Sequence, residues 1–151
     1  MLRRAVLAAC LAMPLAAQAQ GWKQTHPELV FAVVPSENAS GVTDRMQPFL
    51  AYLSAELGVK ATLRIATDYA AVIEGQRAGN IHVANHGPSS YVRAWTVTNG
   101  GVVPFATSIN GDGSIGYYSV AYARANDPGT KLEDFRGRNL CLVDPNSASG
   151  N

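Results

Sequence analysis

Apolar residues run unbroken over positions 29–34 and stop at Pro35. A short apolar run without alternation predicts a strand buried on both faces. Met46, Phe49, Leu50, Leu53 and Leu57 then recur at helical spacing, and Gly58 is placed to stop that helix. Pro48 suits the first turn of such a helix, where its missing N–H costs least. Val59, Ala61, Leu63 and Ile65 alternate as a strand does, with Thr67 or Asp68 ready to cap the next helix. That helix is predicted over residues 69–78, stopped by Gly79 and Asn80.

The pattern continues in shorter pieces. Residues 81–84 predict a short strand, and Gly87-Pro88-Ser89 opens a helix with Tyr91, Val92 and Trp95 on one face. That helix ends near Asn99, Gly100 and Gly101. Strands are expected over 102–107, 117–123 and 139–143, with a turn cluster at residues 110–114 and one helical turn over 132–135. Strands alternating with helices at short spacing argue an α/β fold with a mostly parallel sheet. In such sheets ligands gather beyond the carboxyl ends of the strands. The loops after Val34, Ile65, Ala84 and Val143 all occupy that position.

Composition narrows the class. Arg3 and Arg4, an apolar stretch over 5–15 and Ala17-Gln18-Ala19 read as a signal peptide over residues 1–19, and thus export to a bacterial periplasm. Leu7-Ala8-Ala9-Cys10 resembles a lipoprotein box, but it follows Arg4 too closely for the usual apolar region. Without the leader, the 12 basic residues lose two against 11 acidic ones, so the net charge falls to about −1. No basic stretch remains to favour nucleic acid or an anionic membrane. Cys141 is then the only cysteine, set mid-strand between apolar neighbours, and is expected to be buried and inert.

The segment richest in candidate chemistry is Asp144-Pro145-Asn146-Ser147-Ala148-Ser149-Gly150. It comes directly after the apolar residues 140–143 and has the composition of a loop opening a helix. Backbone N–H groups at such a place, with small hydroxyl residues beside them, suit a tetrahedral oxyanion.

Five motifs in order carry a family resemblance: Pro35-Ser36-Glu37-Asn38, residues 68–75 (DYAAVIEG), residues 87–92 (GPSSYV), residues 112–120 (DGSIGYYSV) and residues 144–150 (DPNSASG). Together the chain resembles the periplasmic phosphonate-binding, PhnD-like proteins of ABC importers. The resemblance implies a type II periplasmic binding protein fold of two lobes, of which this chain holds the N-terminal half. Residues 20–115 would be lobe one without its return segment, 116–124 the crossover strand and 125–151 the start of lobe two.

The resemblance also implies a function. The protein would be the substrate-binding component of an importer for phosphonate, phosphite or phosphate, a monomer when complete, and would pass its ligand to an inner-membrane permease. It would be no enzyme and would need no cofactor or metal. Ligand contacts carried over fall on Tyr69, Tyr117, Asn146, Ser147, Ala148, Ser149 and Gly150. The tyrosines and serines would give hydroxyl donors, and residues 147–150 backbone N–H groups. Some members carry Thr where this chain has Ala148, which removes one hydroxyl. With half the site lacking a counterpart, the 151-residue chain is expected to bind poorly.

Other readings compete at particular residues. Ser36, Glu37 and Asn38 suit a cap or hinge better than a contact, since Glu37 would repel an anion. His82 and His86 have ligand-like spacing, but Gly87 and Pro88 break any helix that would align them on a metal. His86 has a second reading, lining the cleft. Gly111-Asp112-Gly113-Ser114 carries an esterase-like trace without a base, and Asp68 and Glu74 point to different helix faces. A sensory domain of a membrane signalling protein is the alternative function, and an exported esterase a remote one.

Overall fold

The computed structural model describes residues 21–34 and 39–150. The expected signal peptide at 1–19, the Pro35-Ser36-Glu37-Asn38 motif and Asn151 lie outside the described residues. Three parallel strands form one sheet in the order β2-β1-β3: β1 (Glu28–Val33), β2 (Lys60–Ile65) and β3 (Val83–Ala84). β1 pairs with β2 from Glu28↔Lys60 to Val33↔Ile65, and with β3 at Phe31↔Val83 and Ala32↔Ala84. The apolar run thus takes the central place, as its lack of alternation requires. At the first register pair, the Lys60 ammonium lies 3.7 Å from the Glu28 carboxylate.

Besides a helical stretch over 21–25, three helices stand among the described residues: α1 (Ala39–Leu57), α2 (Tyr69–Arg77) and α3 (Pro88–Val97). The core joins Ala32, Ala66, Val72 and Ile81, with Val30, Val34 and Ala84 packed around them. Full burial of a valine such as Val72 contributes about 1.5–3 kcal/mol. Ser54 on α1 donates to the Leu50 carbonyl and accepts the Ala61 N–H at 2.9 Å, which ties the helix to β2. α1 stops at Gly58, whose φ of +65° suits the residue type that ends helices this way.

Several expectations need correction. Pro48 lies well inside α1, because the helix begins at Ala39 rather than near Met46. The helix buries Val42 and Leu50 on its inner face. On α3 the buried residues are Ser90 and Ala94, while Val92 and Trp95 are exposed. Small side chains let α3 approach its neighbour closely. Residues 102–107, 117–123 and 139–143 form no strands. A strand exists only as a hydrogen-bonded member of a sheet, and no described segment lies beside these as a ladder partner. Cys141 is exposed rather than buried for the same reason. The turn cluster at 110–114 and the single turn, Leu132–Phe135, are present as expected.

Candidate functional site

Two helix starts differ in a way that matters for anions. Asp68 caps α2, its Oδ1 accepting the Ala71 N–H at 2.7 Å. A carboxylate already occupies that end. α3 begins at Gly87 with no side-chain cap and with Pro88 in its first position. The N–H groups of Ser89 and Ser90 in that first turn are left for an outside acceptor.

Tyr117 lies at the open end. A Cβ placed on Gly87 would stand 3.3 Å from the Tyr117 hydroxyl, so glycine is what lets the phenol come so close. Tyr118 is 93% exposed against 61% for Tyr117, in keeping with neighbouring side chains on extended chain pointing opposite ways. Tyr69 is half-buried at the first position of α2, and its hydroxyl has no hydrogen-bond partner among the described residues.

The loop at 144–150 folds back on itself. The Val143 N–H donates to the Gly150 carbonyl at 2.7 Å, and a Cβ on Gly150 would lie 2.6 Å from the Val143 Cβ. Asp144 Oδ1 accepts from both the backbone N–H and the side-chain amide of Asn146, at 2.7 and 3.1 Å. The expected set of four free N–H groups is reduced here. Ser147 donates its N–H to the Asp144 carbonyl, and its buried hydroxyl accepts the Gly150 N–H at 3.1 Å. Ala148 and Ser149 keep their N–H groups unpaired among the described residues, and the Ser149 side chain is exposed.

Ser119 joins the pieces. Its hydroxyl donates to the Ser149 carbonyl at 2.6 Å, holding the loop against the segment that carries Tyr117. Sequence reasoning gave Ser119 no role. The available signal was its place two residues from Tyr117, on the same side of an extended chain.

The remaining candidates have structural partners. His86 bridges two helices: its Nε2 meets Gln76 Oε1 at 2.7 Å and its Nδ1 meets Ser90 Oγ at 3.1 Å. Burial lowers the ring's proton affinity, and Ser90 gives its own hydroxyl proton to the Gly87 carbonyl at 3.0 Å. It packs between α2 and α3 rather than standing open for a ligand. His82 Nδ1 accepts the Val30 N–H at 3.0 Å and has no lone pair left for a metal while that bond holds. Ser114 Oγ accepts from Asn110 Nδ2 at 2.8 Å inside the turn, with no histidine bonded to it to act as a base. Glu74 pairs with Arg77 at 2.6 Å, and Asp68 is a cap.

A family described as "ABC transporter, phosphonate, periplasmic substrate-binding protein" matches residues 31–151. The phosphate-import protein PhnD of Mycolicibacterium smegmatis is 35% identical over 97% of this chain and 48% of its own length. The phosphonates-binding periplasmic protein of Escherichia coli is 34% identical over 85% of this chain and 38% of its own. The chain therefore spans about half the length, or less, of these curated relatives. A crystal structure of a binding protein of a phosphonate ABC transporter from Pseudomonas aeruginosa superposes with a TM-score of 0.71 at 26% identity, over 83% of this chain and 42% of that one. With the α/β architecture and these matches, the chain belongs to the family of periplasmic substrate-binding proteins of phosphonate ABC transporters.

Proposed function

We propose that the whole protein captures a phosphonate, phosphite or phosphate ion in the periplasm and delivers it to an inner-membrane ABC permease. Residues 1–19 would be the cleaved export signal. The observation that carries this proposal is the approach of the Tyr117 hydroxyl to Gly87 at the uncapped start of α3, with the 144–150 loop tied alongside through Ser119. The relatives' names point to the same ligand class.

The proposed donors are all neutral: the Tyr117 hydroxyl, the N–H groups of Ser89, Ser90, Ala148 and Ser149, and the Ser149 hydroxyl. Asn146, Ser147 and Gly150 shape the loop rather than reach the ion. Tyr69 would close the site from the start of α2, where the Asp68 carboxylate keeps the anion itself at a distance. Hydrogen bonds to a charged acceptor contribute about 1.5–3 kcal/mol each, and a few of them support micromolar affinity, about −8 kcal/mol. Neutral donors also permit release, since no buried countercharge holds the ion.

The test is calorimetry on the chain extended through a second half like that of its relatives. Methylphosphonate, 2-aminoethylphosphonate, phosphite and phosphate would be titrated, with acetate as control. Micromolar or tighter binding of one phosphorus oxyanion, weakened by Tyr117→Phe, is expected. A folded, extended protein that binds none of the four would overturn the proposal.

A further inference from the structure

β3 begins with a bond that only a neutral histidine makes. The Val30 N–H donates to Nδ1 of His82 at 3.0 Å, and the His82 N–H donates to the Val30 carbonyl at 3.0 Å. This reciprocal pair extends the β1–β3 ladder one step before Phe31↔Val83. A backbone N–H can only donate, so Nδ1 must present its lone pair and the ring proton must sit on Nε2. We propose that His82 is a proton-sensitive latch: in acid its Nδ1 is protonated, meets the Val30 N–H donor to donor, and releases the start of β3.

The groups around the ring set how readily it takes that proton. His26, from the segment ahead of β1, meets it edge-on with centroids 5.3 Å apart. Glu28 on β1 favours the charged ring, and Lys60 on β2, 3.7 Å from Glu28, offsets part of that field. Burial and His26 together outweigh Glu28 and hold the ring neutral near pH 7. Below that range the latch opens. β3 has only two paired residues, so one reciprocal pair is a large share of what fastens it.

The strand leads directly to the candidate site. Asn85 donates to the Ala32 carbonyl at 3.2 Å, and two residues later Gly87 meets Tyr117. Opening the latch would shift the start of α3 against the phenol. That consequence for ligand binding rests on the proposed function; the latch itself is measured without any ligand.

The experiment is nitrogen-15 NMR on the 151-residue chain. At pH 7.5 His82 should be the Nε2–H tautomer, with the Val30 amide protected from exchange. Corrected for the intrinsic rate, that protection should fall as acid protonates the His82 ring. In His82→Asn, whose Oδ1 takes the place of Nδ1 and does not titrate, Val30 should stay protected throughout. In His82→Phe it should be unprotected at pH 7.5 and in acid alike. An Nδ1–H tautomer at pH 7.5 overturns the proposal in the wild-type chain alone, and so does an acid loss unchanged in His82→Asn.

Discussion

Ser119 and Ser149, thirty residues apart, are joined by a 2.6 Å hydrogen bond from the Ser119 hydroxyl to the Ser149 carbonyl. This bond fixes where the terminal loop sits relative to Tyr117. Removing it with Ser119→Ala should cost about 1 kcal/mol, the net scale of one such bond. Because the site is exposed, the loss should show locally, as faster exchange at the hydrogen-bonded amides of Ser147 and Gly150, more than in global unfolding. Unchanged exchange at those two amides would mean the loop is held by its own turn alone.

Gly87 and Tyr117 make a second testable pair. The φ of Gly87 is −79°, which any residue adopts, so backbone strain does not forbid alanine there. The added Cβ would instead press on the Tyr117 hydroxyl at 3.3 Å. Gly87→Ala should therefore displace the phenol and weaken oxyanion binding in the extended protein by about 1 kcal/mol or more. In a Tyr117→Phe background the same substitution should cost distinctly less, since the oxygen it meets is gone. A double-mutant cycle by calorimetry reads this directly, and additive losses would separate the two residues.

What the sequence made legible was mostly local. Asp68 capping α2, Gly58 ending α1 and Pro88 opening α3 depend on residues within a turn of each other, and each can be read from the chain alone. The apolar run at β1 was equally plain as a strand, but of its residues only Ala32 is buried and the others are partly exposed. Residues 117–123 and 139–143 have strand-like composition too, but pairing is non-local, and composition cannot supply the neighbour. Cys141 was misjudged through the same dependence. At the site, alternation says only that Tyr117 and Tyr118 face opposite ways, and the resemblance alone picks Tyr117. The inward turn of Ser147 was hidden, because a serine in such a loop closes on its own backbone as readily as it serves a ligand.

Gly75 should be intolerant of any side chain. A Cβ there would collide with the Ile81 side chain, including its Cγ1 at 2.9 Å, and Ile81 is 4% exposed. The Gly75 carbonyl also accepts the N–H groups of Asn80 and Ile81, at 2.8 and 3.1 Å, so the backbone cannot shift freely to relieve the clash. Overpacking of this kind costs about 1–3 kcal/mol. Gly75→Ala should lower the urea midpoint accordingly, and Gly75→Ala with Ile81→Val should recover part of the loss. A single variant as stable as the parent would show that Ile81 has room to move.

Acid should unfold the chain in two stages. His82 and His86 both have proton affinities held below the ordinary value of 6.5, chiefly by burial. Above that pH both folded and unfolded states are neutral there, and stability is full. As pH falls below about 6.5 the unfolded chain takes protons first, so stability declines through the folded-state values. Asp127 acts lower down. The Gly129 N–H, then Arg138, hold its carboxyl below the ordinary 3.8. Its contribution is present above that value and is lost as pH falls through the folded one. Thermal midpoints stepped from pH 7.5 to 2.5 should show both declines. His82→Asn with His86→Gln should flatten the first and leave the second, whereas Asp127→Asn should do the reverse. A first decline that persists without either histidine would place its origin elsewhere in the chain.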